Sequence, residues 1–357
     1  MGKGLVARAP GGPEVMEWRD LPDRAPAAGE ALLRHLAIGV NFIDIYFRSG
    51  LYPWPEPEMI PGAEAVGVIE ALGDGVTGLR IGDRVAYVLP FGAYREARIV
   101  PAERLVLLPE ALEAQEVAGA MLKGLTAQYL VTSSYRVQHG DTVLVHAAAG
   151  GVGLAAVQLA RAAGAEVYAT AGSESKRAYL RSLGVRHVFD SRTLAFAAEV
   201  RAATGGAGVD VVLNSLAGDF IAASLGLLAP GGRFLEIGKS GLLTPEQAAA
   251  LGAGRRYFAV FLADQLQSEP QMVAGLLAGL LRAFAAGELH PLPRRSFDFA
   301  AAASAFRLMA QARHTGKIVL LPPGAERSGA GEFTLSPQGV YLVTGGLGGI
   351  GGVLAQE

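Results

Sequence analysis

The stretch TVLVHAAAGGVGLAAVQLARAA at residues 142–163 decides the fold of this chain. Residues 142–146 have the pattern of a short buried strand, and residues 154–163 have the apolar spacing of a helix. The small residues between them allow a tight turn, where backbone N–H groups and the helix N-terminus can approach a pyrophosphate. Because this turn joins a strand to a helix, it predicts the start of a dinucleotide-binding domain.

Strand and helix patterns alternate on both sides of this turn and predict an α/β fold with a doubly wound parallel sheet. A helix is predicted over residues 117–129, before the turn. Further strands are predicted at 165–170, 187–189, 210–213 and 232–237, with helices at 176–183 and 220–228. Before residue 109, short strands such as 31–38 and 64–72 are followed by turn signals and predict a small β-rich domain. A helix at 272–286 and a strand at 317–321 are expected to return to that first domain.

Composition excludes several classes of protein. The 357 residues are enough for about two domains, and 31 Lys and Arg against 33 Asp and Glu argue against nucleic acid or an anionic membrane as the main partner. The absence of cysteine excludes disulfides, thiol chemistry and Cys-ligated zinc. The six histidines are scattered, so no metal site is predicted, and His146 is expected to be a packed strand-end residue rather than a base. Apolar runs are short and no secretory signal is visible, so we expect a cytoplasmic location.

The second strand of the dinucleotide-binding unit indicates which cofactor is used. An NAD-selective site places Asp or Glu at the end of this strand, but residues 166–172 end without a carboxylate. Ser173 and Lys176 suit a 2′-phosphate, and Arg192 could reach the same group. The pattern therefore favours NADPH. The alternative is that Ser173 only caps a helix and that the two cations are solvated.

Several longer motifs resemble a known family. The following segments resemble the zinc-independent quinone oxidoreductase branch of the medium-chain dehydrogenase/reductase superfamily: AIGVNFIDIY (37–46), SGLYP (49–53), LKGLTAQY (122–129) and HAAAGGVG (146–153). Further segments are similar to the enoyl reductase domain of type I polyketide synthases: SRTL (191–194), ATGG (203–206), VDVVLNSL (209–216), GRFLEIGK (232–239) and RLMAQARHTGK (307–317).

The resemblance implies a domain organisation. Residues 1–117 and 266–322 would form a GroES-like substrate domain, and residues 118–265 a Rossmann cofactor domain. Residues 323–338 have the composition of a linker. Residues 339–357 contain a strand entering a second glycine-rich turn and resemble the truncated start of a ketoreductase-like domain in a longer chain.

In the enoyl reductases, NADPH gives hydride to the β-carbon of an α,β-unsaturated thioester, and the enolate is then protonated at the α-carbon. Tyr52 matches the family tyrosine linked to α-protonation and its stereochemistry, and Lys239 matches a lysine proposed as donor or enolate stabiliser. The alternative for Tyr52 is a turn aromatic that packs beside Pro53, and the alternative for Lys239 is a solvated loop cation. The implied pocket residues are Asn41, Lys123, Thr126, Asn214 and Ser215. The predicted cofactor-binding residues are Ala148, Gly150, Gly151, Val152, Gly153, Ser173, Lys176, Arg192 and Gly238.

Two departures from family patterns bear on the chemistry. Asn41 stands where zinc-dependent relatives place a ligand cysteine, and Ala63 stands where they place the histidine before Glu64, so no metal is expected. Phe261 stands about where synthase enoyl reductases often carry an acidic residue, and Asp264 is close by in sequence.

The implied substrate is an enoyl thioester on an acyl carrier protein, with a neighbouring ketoreductase in the same chain. An edge strand at 256–262 would allow a homodimer. The alternatives are a free-standing NADPH:quinone or enone reductase, and a cofactor-binding domain with altered or lost catalysis.

Overall fold

The computed structural model describes residues 2–22, 24–54, 57–134, 136–260, 262 and 268–325, and the chain up to residue 325 forms one compact unit. Phe261, Asp264, most of the predicted linker and the predicted ketoreductase-like start at 339–357 lie outside the described residues.

The elements alternate in type as the sequence predicts. Up to residue 134 they are β1 (Lys3–Ala7), β2 (Met16–Asp20), β3 (Glu30–Val40), α1 (Phe42–Arg48), β4 (Glu64–Leu72), β5 (Arg84–Val88), β6 (Ala97–Pro101), β7 (Val106–Leu107), α2 (Ala114–Ala118), α3 (Met121–Gln128) and a π-helical turn (Tyr129–Ser134). After it they are β8 (Thr142–Val145), α4 (Gly151–Ala162), β9 (Glu166–Ala171), α5 (Glu174–Ser182), β10 (His187–Asp190), α6 (Ala195–Ala203), β11 (Val209–Asn214), α7 (Asp219–Leu225), β12 (Leu228–Glu236), α8 (Pro245–Ala249), β13 (Arg256–Ala259), α9 (Pro270–Ala285), β14 (Arg294–Asp298), α10 (Ala302–Ala310) and β15 (Lys317–Leu321).

The β-rich part is built on a seven-stranded sheet in the order β14-β15-β3-β4-β5-β7, with β6 also paired to β3. Strand β15 lies antiparallel to β3, with Val319 opposite Gly39. The C-terminal strand therefore returns to the first sheet, as its sequence predicts. On this sheet Leu33 and Ile38 pack against Phe306 of α10 in a buried core.

The second sheet has six parallel strands in the order β10-β9-β8-β11-β12-β13. This is the strand order of a Rossmann fold, and it reverses between β8 and β11. In open α/β sheets, ligands bind outside the carboxyl ends of the strands at such a switch point. The predicted α/β class, with a β-rich part and a doubly wound sheet, is confirmed.

The glycine turn brings α4 close to the end of β8. The helix begins at Gly151, three residues earlier than its apolar pattern predicts, and the N–H of Leu154 donates to Gly150 O. A Cβ on Gly153 would lie 2.5 Å from the Cα of Ala148, so only glycine permits this approach. This close packing places the N-terminus of α4 next to the carboxyl end of β8, at the switch point.

The single helix predicted over 117–129 is in fact two helices, α2 and α3. The break has a tertiary cause, because the backbone N–H of Leu122 in the first turn of α3 donates to Glu64 Oε2 at 2.5 Å. A buried carboxylate from β4 thus caps the new helix.

The predicted domain boundaries stay a prediction. Leu277 and Leu280 of α9 share one buried cluster with Val66 of β4 and with Met121 and Leu125 of α3. The hydrophobic core is therefore continuous across the proposed boundary at residue 118.

Candidate functional site

One cavity of about 660 Å³ lies at the switch point. Its wall combines residues around α1 with the ends of β8, β9, β11 and β12. The predicted site residues on this wall are Asn41, Tyr52, Lys123, Thr126, Gly150, Gly151, Val152, Gly153, Ser173, Lys176, Arg192, Ser215, Gly238 and Lys239. Residues from widely separated segments are thus brought together in one site.

Two predicted contacts lie behind the wall rather than on it. Ala148 is buried beneath the glycine turn, where its Cα sets the close approach of Gly153. Asn214 is buried at the end of β11 and directs its side chain to Glu236 and to the backbone of Leu216.

Three predicted cofactor residues meet at one end of the cavity. Ser173 Oγ accepts from the backbone N–H of Lys176 at 3.4 Å, so this serine does cap α5 while also lining the cavity. The Lys176 ammonium donates to Ala312 O at 2.7 Å, and Arg192 Nε donates to Gly172 O at 3.4 Å.

These two cations carry unbalanced positive charge. Burial, together with the charge of Arg192, lowers the pKa of Lys176. Within the part of the chain that the structure describes, neither Lys176 nor Arg192 forms an ion pair. Two like charges at one end of a cavity favour binding of an anion there.

The two candidate catalytic side chains meet elsewhere on the same wall. The Lys239 ammonium lies 5.5 Å from the centroid of the Tyr52 ring. The ring itself packs edge-on against Tyr46 and Phe47, with centroids at 5.5 and 5.4 Å. Tyr52 therefore does pack in a turn, as the alternative proposed, and it also presents itself to the cavity beside a cation.

A buried ion pair lies under the cavity. The Lys317 ammonium donates to Glu64 Oε1 at 2.6 Å and to Asn41 Oδ1 at 2.7 Å, and Asn41 Nδ2 donates to Glu64 Oε1 at 2.8 Å. Lys317 and Glu64 are 1% and 0% exposed at their side chains. Sequence reasoning missed Lys317, although a lysine directly before the apolar run IVLL was a signal for a buried partner.

A second buried carboxylate fixes the backbone next to this ion pair. Asp44 Oδ2 accepts from Asn41 N at 2.7 Å and from the Tyr94 hydroxyl at 2.6 Å. Burial raises the pKa of Asp44 to about 6. Burial, aided by the charge of Lys317, lowers the pKa of Lys123 to about 8, and the Lys123 ammonium lies 5.9 Å from the Phe42 ring centroid.

Asn41 and Ala63, the two positions that the resemblance compares with zinc ligands, lie at this polar network. Asn41 and Glu64 hydrogen-bond to each other and to Lys317, beside Ala63. Among the described residues there is no group of three or more His, Cys, Asp or Glu side chains that could hold a metal ion. No described helix is long and apolar enough to cross a bilayer.

His146 is held as a structural residue. Its Nδ1 lies 2.9 Å from Thr170 Oγ1 and its Nε2 lies 2.8 Å from Ser224 Oγ. Burial lowers the pKa of the ring to about 3. Because both nitrogens are engaged and the ring stays neutral, the prediction of a packed strand-end residue is confirmed.

Replacing His146 with glutamine is expected to make the protein less sensitive to acid. The pKa of His146 is about 6.5 in the unfolded chain and about 3 in the folded protein. Below pH 6.5 the unfolded chain therefore binds a proton that the folded protein does not, and the contribution of the neutral ring to stability, complete above pH 6.5, is lost as pH falls. The His146→Gln variant should lose less unfolding free energy than wild type between pH 7 and pH 4.5, by up to about 1.4 kcal/mol per pH unit. Urea unfolding at both pH values measures this, with exposed His290→Gln as the control. Equal losses in His146→Gln and wild type would contradict the assignment.

Comparisons with known proteins agree with this geometry. Residues 27–110 match the alcohol dehydrogenase GroES-like domain family, and residues 183–320 match the zinc-binding dehydrogenase family. A mycocerosic acid synthase-like polyketide synthase of Mycolicibacterium smegmatis is 40% identical over 370 residues, covering 100% of this chain and 17% of that protein. The chain spans less than a fifth of the length of the curated relatives it matches first.

Two solved structures share the fold over 90% of this chain. The CurK enoyl reductase is 38% identical with a TM-score of 0.84, over 90% of this chain and 99% of that one. The Escherichia coli quinone oxidoreductase complexed with NADPH is 29% identical with a TM-score of 0.83, over 90% of this chain and 100% of that one. The chain therefore belongs to the medium-chain dehydrogenase/reductase superfamily of oxidoreductases, in the group that includes polyketide synthase enoyl reductases and quinone oxidoreductases.

Proposed function

We propose that this chain is an NADPH-dependent enoyl reductase that acts on an α,β-unsaturated thioester held on an acyl carrier protein, in polyketide or fatty-acid-type chain synthesis. The observation that carries the proposal is the Tyr52–Lys239 pair, which faces the same cavity as the glycine turn of α4. A proton donor and a cation next to a dinucleotide-type turn suit reduction of a polarised C=C bond. The likeness to the CurK enoyl reductase supports the same assignment.

The residues present fit NADPH. The close approach of Gly153 to Ala148 leaves room at the N-terminus of α4 for a pyrophosphate, which Gly150, Gly151 and Val152 would hold through the backbone. Ser173, Lys176 and Arg192 would bind the 2′-phosphate, and Ser215 and Gly238 would border the nicotinamide. When bound, the cofactor supplies the hydride that adds to the β-carbon.

The chain's own residues then stabilise the enolate charge and deliver the proton to the α-carbon. As the β-carbon is reduced, negative charge develops on the thioester oxygen, and the Lys239 ammonium stabilises this enolate. The Tyr52 hydroxyl donates its proton to the α-carbon and regains a proton from solvent. Asn41, Lys123 and Thr126 line the pocket for the reacting groups. Lys123 stays mainly cationic at neutral pH, since burial lowers its pKa only to about 8.

A double Lys176→Gln, Arg192→Gln variant is expected to weaken NADPH binding by about 10²-fold while leaving NADH binding within about twofold. Each change removes a charge-assisted hydrogen bond to the 2′-phosphate, which only NADPH carries. Fluorescence titration of both cofactors measures the effect. Arg181→Gln is the matched control, because Arg181 lies on α5 and pairs with Glu174 away from the cavity. Equal weakening of both cofactors would contradict the assignment.

A second candidate is a free-standing NADPH:quinone or enone reductase, favoured by the likeness to the Escherichia coli enzyme. A third is a domain that binds cofactor but has altered or lost catalysis. Steady-state assays of NADPH with a crotonyl-type thioester and with a quinone separate these. Turnover of the thioester supports our proposal, whereas turnover of quinone alone supports the second candidate. Cofactor binding without consumption supports the third.

The partners follow from the proposed reaction. The relatives are polyketide synthases much longer than this chain, which supports an acyl carrier protein as substrate carrier and a ketoreductase neighbour in the same polypeptide. Strand β13 (Arg256–Ala259) is an edge strand of the six-stranded sheet, shorter than predicted, and could pair with a second copy. The homodimer and the cytoplasmic location stay predictions.

A further inference from the structure

Glu236, the last residue of β12, is a buried carboxylate held by uncharged donors. Its side chain is fully buried, and burial raises its pKa. Oε1 accepts from the backbone N–H of Gly238 at 2.6 Å, and Oε2 accepts from Asn214 Nδ2 at 2.6 Å. Among the described residues no cation pairs with it. A charge buried without a counter-ion costs free energy, and here it is offset by short charge-assisted hydrogen bonds.

Asn214, the last residue of β11, completes the arrangement. Besides Glu236, its Nδ2 donates to Leu216 O at 2.9 Å, and its Oδ1 accepts from Leu216 N at 3.2 Å. Its backbone carbonyl accepts from Ile237 N at 3.0 Å. The side chain therefore closes the turn after β11 and joins it to the turn after β12.

The hydrogen bond between Glu236 and Gly238 is close enough to require glycine at position 238. A Cβ on Gly238 would lie 2.7 Å from Glu236 Oε1, so a side chain at this position would displace the carboxylate. Gly238 and Lys239, which come after Ile237, line the cavity, as do Ser215 and Leu216 on the other turn. The two turns are thus fixed to each other from behind the cavity wall.

We propose that Glu236 and Asn214 are positioning residues, whose carboxylate–carboxamide pair fixes the backbone that carries Lys239 beside Tyr52. Neither side chain touches the cavity, and both act through the backbone of residues 215–216 and 238–239. The catalytic consequence rests on the proposed function, whereas the ordering of the turn does not.

A double-mutant cycle with Lys239 tests the catalytic consequence. Glu236→Gln leaves one acceptor oxygen where the carboxylate has two, so its NH2 group faces Asn214 Nδ2 or Gly238 N, donor against donor, and one hydrogen bond is lost. The variant should lower kcat about 10-fold, with the NADPH Kd changed less than about twofold. In a Lys239→Met background, Glu236→Gln should change kcat less than about twofold, because the positioned group is already gone. Adding Asn214→Asp to Glu236→Gln restores a donor–acceptor pair between the two side chains but loses the donor to Leu216 O, so it should recover only part of the loss. Full additivity with Lys239→Met would overturn the proposal.

Amide hydrogen exchange of the peptide containing residues 236–242 tests the positioning itself without any turnover. Glu236→Gln should exchange at least about 10-fold faster than wild type at Gly238. The matched control is Asp210→Asn, because Asp210, near the opposite end of β11, also accepts a backbone N–H, that of Thr142 on β8. Unchanged exchange in Glu236→Gln would overturn the proposal, whereas faster exchange in a protein inactive on enoyl thioesters would overturn only the proposed function.

Discussion

Replacing Lys239 with methionine is expected to lower kcat for enoyl-thioester reduction by about 10²- to 10³-fold, the usual effect of losing one group that stabilises a developing oxyanion. The NADPH Kd should stay within about twofold, because the ammonium lies at the Tyr52 ring rather than at the Lys176–Arg192 end of the cavity. Single-turnover rates and cofactor titration together separate these two effects.

Arg256→Met is the matched control for this substitution. The Arg256 guanidinium also lies near an aromatic ring, 5.7 Å from the centroid of Phe258, but on the edge strand β13 outside the cavity. It should leave kcat unchanged. Tyr52→Phe should lower kcat and also disturb the configuration at the α-carbon, because another donor must then deliver the proton. A Lys239→Met enzyme with the wild-type kcat would remove Lys239 from the proposed mechanism.

Replacing Lys317 with methionine is expected to destabilise the protein by about 3–5 kcal/mol. The change leaves the Glu64 carboxylate buried with its cation removed, and it also removes the donor to Asn41 Oδ1 at the cavity wall. Urea unfolding should show a lower midpoint at an unchanged m-value. The same variant should reduce NADPH turnover, because Asn41 lines the pocket.

Two control variants test whether the loss of stability comes from the buried charge. Arg34→Met breaks an ion pair with Glu70 whose side chains are 50% and 41% exposed, and it should cost less than about 1 kcal/mol. The double change Lys317→Met, Glu64→Gln removes both buried charges, keeps an acceptor oxygen for Leu122 N, and should recover part of the loss. A Lys317→Met variant with wild-type stability would mean that the ion pair does not stabilise this fold.

The fold could be predicted from sequence where the signal is local. The glycine turn at 150–153 and the alternation of strands and helices gave the class, and the predicted strands 64–72 and 317–321 match β4 and β15. The broken helix at 117–129 could not be predicted, because the break depends on Glu64 reaching Leu122 from a distant strand. Local spacing carries no information about such a cap.

The site, too, could be predicted from sequence where its signals are local, but not where it depends on contacts between distant residues. The cavity collects the glycine turn, the 2′-phosphate candidates and the Tyr52–Lys239 pair, which motifs could indicate one at a time. Asn214 belongs to a buried hydrogen-bonded pair with Glu236 rather than to the wall. Pairings between residues far apart in sequence, such as Lys317 with Glu64, become visible only in three dimensions.

The most direct test of the central claim follows deuterium from NADPH. The protein is incubated with NADPH deuterated at the transferable C4 position and a 2-methyl-2-enoyl thioester, and the product is analysed by mass spectrometry and NMR. We expect one deuterium at the β-carbon of the saturated thioester and a solvent-derived proton at the α-carbon. An unchanged thioester, in an enzyme that consumes the same NADPH with a quinone, would contradict the account.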